Sequence, residues 1–157
     1  MFGNSGSGKS RFAHRLGANH DLRVLDLDTV VWSETECAVF RSDADILRDL
    51  SQFVRSVGQW VVEGCYGRWM EHLCPHCTEM VFMNPGEAVC LRNCRARPWE
   101  PHKYGTKEEQ DAKLSLLLDW VRAYYSRSDD MSLQEHRRLF DSFQGRKREI
   151  IANEPDG

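Results

Sequence analysis

The sequence predicts a single α/β domain in which helices cover both faces of a parallel sheet of about five strands. Two observations predict this fold class: short apolar runs alternate with helical patterns along the chain, and no linker or internal repeat divides it. Strands that alternate with helices form parallel sheets. With 157 residues, the chain also has about the length of one typical domain. We therefore interpret residues 1–157 as one domain.

Four short apolar runs predict strands, at residues 23–28, 60–63, 80–83 and 146–152. A fifth is expected at the start of the chain, where only Met1 and Phe2 precede the first glycine. A buried parallel strand has about five or six residues. We therefore expect this first strand to be truncated, with the true start of the chain lying upstream of Met1.

Helices are predicted between these runs from apolar spacing and from capping pairs. Each capping pair is a Ser or Thr followed three residues later by an acid, and the three pairs are Ser42 with Asp45, Thr106 with Glu109 and Ser132 with Glu135. Such pairs satisfy unbonded N–H groups in the first helical turn. One continuous helix is predicted from Thr106 to Tyr125. Further helices are predicted around residues 10–17, 69–73 and 89–94.

The composition excludes several classes of function. A formal charge of −3 argues against a protein that binds nucleic acid through a positive field, and no helix-turn-helix pattern occurs. No run of 18 apolar residues and no basic–apolar leader occurs, so we expect no membrane span and a cytoplasmic location. Six cysteines are too few for a disulfide scaffold in a chain of this length.

The strongest signal is the opening segment, where Gly3, Gly8, Lys9 and Ser10 fill every fixed position of the pattern G-x-x-x-x-G-K-[ST]. Polyphosphates need several converging backbone N–H groups, which only a chain with little side-chain bulk can supply. The following helix adds the positive end of its dipole. We expect Lys9 to reach the β- and γ-phosphates and Ser10 to ligate Mg²⁺. The candidate phosphate-binding residues are Gly3, Asn4, Ser5, Gly6, Ser7, Gly8, Lys9, Ser10 and Arg11.

Three carboxylates, Asp26, Asp28 and Glu63, stand at the carboxyl ends of predicted strands, where open parallel sheets bind ligands. Asp26 and Asp28 are two residues apart, so on a strand they would point to the same face. We assign Asp26 to the metal. Asp28 and Glu63 are candidates for orienting or deprotonating an acceptor, with Glu63 alternatively a metal ligand. The competing interpretation is that these acids only cap the next turn.

Four arginines are candidates for stabilising a transferred phosphoryl group: Arg68, Arg92, Arg95 and Arg97. The last three precede a proline-rich loop, which predicts a lid-like segment at about residues 92–110. Guanidinium groups that close over phosphoryl oxygens stabilise their negative charge. The alternative is a solvated basic helix end, which the helix dipole also favours.

Two cysteine pairs resemble zinc-ligand spacing: Cys74 with Cys77, and Cys90 with Cys94. Cys90 and Cys94 are four residues apart on a predicted helix beside apolar residues, which suits burial. A redox role for the first pair would need a thioredoxin-like setting, which the sequence lacks. We favour packing or surface thiols, with zinc and redox roles as alternatives.

The ordered motifs resemble those of the P-loop nucleoside and nucleotide kinases. The resemblance is strongest to adenylate-kinase-related proteins described as DNA topology modulation proteins or uncharacterised AAA-type ATPases. The residues that carry it are the opening loop, 26–28, 60–64, 66–68 and the arginine-bearing helix. The pair of aspartates is also similar to that of shikimate and gluconate kinases, where the carboxylates serve metal and acceptor. The resemblance implies a three-layer α/β/α P-loop NTPase fold with sheet order 2-3-1-4-5, and places residues 153–155 near the nucleotide base.

Two functions follow from these observations. The first is an ATP-binding, Mg²⁺-dependent phosphotransferase that acts on an unidentified small acceptor, whether a nucleoside, a nucleotide or a small hydroxy compound. The alternative is a nucleotide-binding regulatory module or slow ATPase without such an acceptor. The Asn-Lys-x-Asp pattern that selects GTP is absent from the sequence, which favours ATP as the nucleotide.

Overall fold

Strands alternate with helices in the computed structural model, which describes residues 1–33, 39–101 and 104–152. The strands are β1 (Phe2–Gly3), β2 (Arg23–Asp26), β3 (Trp60–Glu63), β4 (Glu79–Met83) and β5 (Arg146–Ile150). The helices are α1 (Lys9–His20), α2 (Asp28–Val31), α3 (Asp43–Ser56), α4 (Gly67–Leu73), α5 (Glu87–Arg95), α6 (Lys107–Ala112), α7 (Leu114–Ala123) and α8 (Leu133–Ser142). The predicted α/β class is therefore confirmed.

The five strands form two parallel sheets, in the orders β1-β4-β5 and β2-β3, and not the single five-stranded sheet that the sequence predicts. The physical reason is the length of β1, which has two residues, both paired with β4. Between β1 and the end of β3 the structure has one isolated parallel bridge, from Phe2 to Gly64. There the Gly64 N–H donates to the Met1 carbonyl over 3.2 Å.

Helix starts follow the predicted capping pairs. The Ser42 hydroxyl accepts the Asp45 N–H at the start of α3, and Thr106 and Ser132 do the same for α6 and α8. The ends of elements differ more from the prediction. The predicted strand 23–28 ends at Asp26, because Asp28 already begins α2. The single helix predicted from Thr106 to Tyr125 is two helices, which meet at Lys113.

The largest apolar cluster packs α2, α3, α4 and α8 against β1, β3 and β4. Phe2 and Phe82 stack at its centre, with ring centroids 5.2 Å apart. A smaller cluster forms on the other side of β4, where Phe12 of α1 packs against Val81, Met83 and Ile150. Within the described ranges, no helix has the length and apolar character needed to cross a membrane.

A buried histidine connects α8 to the segment that follows β3. His136 Nε2 lies 2.9 Å from the Cys65 carbonyl, so this nitrogen carries the hydrogen and donates it. Nδ1 then accepts from the Tyr124 hydroxyl over 2.8 Å. Burial lowers the pKa of His136 to about 4, because the charged imidazolium is poorly solvated there.

This pKa predicts a pH-dependent stability. An unfolded chain protonates histidine near pH 6.5, whereas folded His136 stays neutral down to about pH 4. The unfolded state therefore binds more protons in this interval, and the free energy of unfolding should fall by about 3 kcal/mol as the pH drops through it. Denaturant titrations of wild type and His136→Gln at several pH values measure this loss. In the variant, the free energy of unfolding should not show the decrease between pH 6.5 and about pH 4 that comes from His136. Parallel pH profiles of the two proteins would contradict the assignment.

Candidate functional site

The glycine-rich loop, residues 3–10, runs from the end of β1 into α1 in a conformation that needs glycine. Gly6 and Gly8 have φ angles of +75° and +91°, in the region that side chains disfavour. A Cβ on Gly6 would lie 2.4 Å from the carbonyl oxygen of Cys90 in α5. Glycine at position 6 is thus required both by the backbone turn and by the close approach of α5.

Side-chain hydrogen bonds fix the loop to two neighbouring helices. Asn4 Nδ2 donates to the Val121 carbonyl of α7 over 2.9 Å, and its Oδ1 accepts the Ser5 N–H over 2.8 Å. From α5, Asn93 Nδ2 donates to the Gly6 carbonyl over 2.8 Å. Ser7 Oγ is buried and has no hydrogen-bond partner within the described residues. A flexible Gly/Ser linker would not be held in this way, so the loop is a built element of the fold.

Lys9 and Ser10 begin α1 and face different parts of the site. Lys9 Nζ donates to the Asn4 carbonyl over 3.0 Å, so its ammonium group lies against the loop. Ser10 Oγ donates to Glu63 Oε1 at the end of β3 over 2.5 Å. Glu63 is only 3% exposed, and a hydrogen bond from a hydroxyl stabilises a buried carboxylate.

Asp26 and Asp28 do not share a strand face, which corrects the sequence-based expectation. Asp26 ends β2, and Asp28 is the first residue of α2. A local hydrogen bond still links the two residues, because the Asp28 backbone N–H donates to Asp26 Oδ1 over 2.9 Å. This is the turn-capping role that the competing interpretation gave to Asp26.

A chain of hydrogen bonds orients the Asp28 carboxylate. Trp32 Nε1 donates to the Tyr66 hydroxyl over 2.8 Å, and that hydroxyl donates to Asp28 Oδ1 over 2.7 Å. Burial raises the pKa of Tyr66 well above its usual value, and the nearby Asp28 charge raises it further. Tyr66 therefore remains a hydrogen-bond donor to Asp28 throughout the physiological pH range.

One cavity of about 1020 Å³ joins these parts. Its lining includes residues 5–11 of the loop and α1, and the carboxylates of Asp26, Asp28 and Glu63. Of the predicted phosphate-binding residues, Gly3 and Asn4 do not line the cavity. Sequence reasoning missed several lining side chains, since no motif marks them: Arg15, Trp32, Phe40, Asn93 and Trp120. Tyr66 also lines the cavity. The sequence indicates this position, because Tyr66 follows the end of β3, and open parallel sheets bind ligands at the carboxyl ends of their strands.

The four candidate arginines differ in whether they line the cavity. Arg97 lines the cavity and forms an ion pair of 3.1 Å with Glu100. Arg68 is half exposed and pairs with Asp43 at 3.0 Å, outside the cavity lining. Arg92 and Arg95 are exposed on α5 and do not line the cavity either.

The cysteine thiols are engaged in packing. Cys74 Sγ and Cys77 Sγ each donate to a carbonyl of α4, at Met70 and Leu73, over 3.3 Å. Burial raises the pKa of Cys74 to about 11, which disfavours the thiolate that zinc binding or redox chemistry needs. In the part of the chain that the structure describes, no three His, Cys, Asp or Glu side chains are grouped to hold a metal.

No protein-family model matches the chain, and no curated protein is significantly similar to it in sequence. The segment 153–155, which the resemblance places near a nucleotide base, lies outside the described residues.

The close approach of α5 to the loop predicts that Gly6→Ala is destabilising. The added Cβ meets a backbone carbonyl, and the positive φ is unfavourable for alanine. We expect the free energy of unfolding to fall by about 1–3 kcal/mol. Gly58→Ala is the matched control, since a Cβ there meets no atom within 4 Å. Equal denaturation midpoints for both variants would show that the loop is not packed as described.

Proposed function

We propose that this protein is a Mg²⁺-dependent phosphotransferase that moves the γ-phosphoryl group of ATP to a hydroxyl of a small acceptor molecule. One observation carries the proposal: a single cavity contains the glycine-rich loop, a hydroxyl–carboxylate pair of Ser10 and Glu63, and the oriented carboxylate of Asp28. These are the groups that a phosphoryl transfer needs, since its catalysis consists mainly of positioning and charge stabilisation.

The phosphate-binding part of the proposal rests on the loop. Its backbone N–H groups and the N-terminus of α1 provide positive potential without a bulky side chain. The 12-residue helix α1 starts at Lys9, directly after the positive-φ turn of Gly8. Lys9 Nζ, at 3.0 Å from the Asn4 carbonyl, can exchange this partner for phosphate oxygens, which are stronger acceptors because they are charged.

The donor atoms around Ser10 fit Mg²⁺. Ser10, Glu63 and Asp26 provide hydroxyl and carboxylate oxygens, which are the ligand type that Mg²⁺ prefers. Ser10 Oγ gives its hydrogen to Glu63, so its lone pairs remain for a cation. Mg²⁺ commonly uses one or two carboxylates together with substrate phosphates, so it does not need three protein ligands. When bound, the ion would supply charge neutralisation on the phosphoryl oxygens.

Asp28 is the proposed acceptor of the substrate proton. Its Oδ1 is held by Tyr66, which orients the carboxylate toward the cavity. In the reaction, the acceptor oxygen forms a bond to the γ-phosphorus and its proton passes to Asp28. The bond between the γ-phosphorus and the bridging oxygen breaks, and ADP leaves with that electron pair. Arg97 and Arg11, which line the same cavity, are proposed to stabilise the phosphoryl charge. Arg68, Arg92 and Arg95 do not line the cavity, so we propose no such role for them.

The finer fold assignment also belongs to this proposal. A P-loop NTPase fold has sheet order 2-3-1-4-5 by the resemblance given above. The sheets β2-β3 and β1-β4-β5, with the bridge between Phe2 and Gly64, are compatible with that order. ATP is preferred over GTP because the Asn-Lys-x-Asp pattern that selects GTP is absent from the sequence. The cytoplasmic location stays a prediction.

Removal of the loop lysine should prevent nucleotide binding. Lys9→Ala deletes the ammonium group proposed to contact the phosphates, and we expect ATP affinity to fall by about 100-fold. Isothermal titration calorimetry measures the affinity for ATP. Lys147→Ala is the matched control, because Lys147 lies on β5, outside the cavity lining, and donates to carbonyls at the end of α8. Unchanged ATP affinity in Lys9→Ala would reject the proposal.

The Ser10–Glu63 pair should set the Mg²⁺ requirement. We expect Ser10→Ala to raise the Mg²⁺ concentration for half-maximal turnover by about tenfold or more. Glu63→Gln should lower kcat by about 100-fold, and EDTA should abolish turnover in the wild type. Ser56→Ala, at the exposed end of α3, is the control. ATP binding without turnover on any acceptor would instead favour the nucleotide-binding regulatory module.

A further inference from the structure

Three aromatic rings that contact one another line the cavity. Trp32 and Phe40 stack with centroids 4.1 Å apart and planes 19° from parallel. Tyr66 meets Phe40 edge to face, with centroids 6.2 Å apart. An antiparallel bridge between Trp32 and Phe40, and the bond from the Arg41 N–H to the Val31 carbonyl, fix the backbone on both sides of the stack. We call Trp32, Phe40 and Tyr66 the aromatic wall.

The aromatic wall stands beside the proposed proton acceptor. Its Tyr66 hydroxyl bonds Asp28 directly, and Trp32 bonds Tyr66. Phe40 is 44% exposed although it lines the cavity. Exposed aromatic surface inside a cavity is unfavourable in water and becomes favourable when a flat ligand covers it. A ring stacked on this wall would lie within reach of Asp28.

Another aromatic ring, that of Phe12, lies beside cationic side chains of α1 and β5. Phe12 packs over β4 and β5, and the guanidinium of Arg15 lies 5.1 Å from its ring centroid. Arg148 of β5 lies on the same ring at 5.3 Å. Of these groups, Phe12 and Arg15 line the cavity. Trp32 and Tyr66 of the aromatic wall instead follow β2 and β3 in the chain.

The charges beside the aromatic wall disfavour an anionic acceptor. Asp26 and Asp28 line the cavity there, and like charges raise the cost of binding a phosphate group. Arg41 follows Phe40 in the chain, but its guanidinium bonds Asp49 at 2.6 Å and the Val30 carbonyl at 2.8 Å. Arg68 is paired with Asp43. Both cations are thus engaged outside the cavity lining.

We propose that the acceptor is an uncharged alcohol with a flat aromatic ring and no phosphate group, the chemical class to which nucleosides and hydroxymethyl-pyridines belong. The inference rests on the proposed phosphotransfer, which supplies the γ-phosphoryl group of ATP. The ring stacks on Phe40, and the hydroxyl donates to Asp28. Transfer then joins the hydroxyl oxygen to the γ-phosphorus, the proton goes to Asp28, and ADP departs.

A matched panel of acceptors tests the chemical class. Adenosine, thymidine and pyridoxine represent it; AMP and TMP add a phosphate, and ribose lacks the ring. ADP release in the presence of ATP and Mg²⁺ measures turnover. We expect saturable stimulation by at least one ring alcohol, with kcat/KM at least about tenfold above that of the phosphorylated or ringless probes. A monophosphate or ribose that performs better than all three ring alcohols would overturn the proposal.

A pair of phenylalanine variants tests the aromatic wall itself. Phe40→Leu removes the stacking surface, and we expect KM for the ring alcohol to rise about tenfold while KM for ATP stays the same. Phe53→Leu is the matched control, because Phe53 is half-buried on α3 against Trp60 and lies outside the cavity lining. Thermal unfolding checks that both variants fold. An unchanged acceptor KM in Phe40→Leu contradicts stacking on this wall.

The two proposals fail differently. If ATP does not bind the wild type, the proposed phosphotransfer fails and takes the acceptor assignment with it. If ATP binds in a Lys9-dependent manner and no ring alcohol stimulates ADP release, the acceptor assignment alone is overturned. Direct titration of ATP, followed by the acceptor panel, therefore separates the outcomes.

Discussion

The site depends on four successive residues, from Glu63 at the end of β3 to Tyr66, each of which makes a different long-range contact. Glu63 accepts the hydroxyl hydrogen of Ser10, and Gly64 bridges to Phe2. The Cys65 carbonyl accepts from His136, and Tyr66 donates to Asp28. These contacts tie α1, β1, α8 and α2 to one segment. Among the described residues, the backbone links between the two sheets are the Phe2–Gly64 bridge and the bond from the Met1 ammonium to the Val62 carbonyl. The segment from Glu63 to Tyr66 therefore holds the loop and the carboxylates in a common cavity.

The cost of this arrangement is the burial of polar groups, and two of them, Glu63 and His136, are compensated by specific partners. Glu63 would be unstable as an isolated buried carboxylate, but the Ser10 hydroxyl satisfies one of its oxygens. His136 remains neutral because burial lowers its pKa, which allows it to donate at one nitrogen and accept at the other. Buried networks of this kind favour a single arrangement, since a partly satisfied one is much less stable.

The sequence predicts the local structure of this protein better than its long-range contacts. Capping pairs such as Ser42 with Asp45 act within one helical turn, so they could be identified without coordinates. The glycine-rich loop could be identified because its backbone demands fixed residue types. The separation of the sheets depends on the pairing of a two-residue strand, and the position of Arg68 depends on Asp43, 25 residues away. The stack of Trp32 on Phe40 likewise leaves no periodic signal in the sequence.

Hydrogen-bond partners distinguish the acids in a way that their sequence positions could not. Glu63 receives its hydrogen from Ser10, so it is tied to the proposed metal side of the cavity. Asp28 receives one from Tyr66, whose raised pKa keeps that hydrogen in place, so it is tied to the aromatic wall. A carboxylate that already accepts a hydrogen bond is a weaker base but a better oriented one. For phosphoryl transfer, better orientation at the cost of lower basicity is favourable, because positioning contributes more to the rate than basicity does.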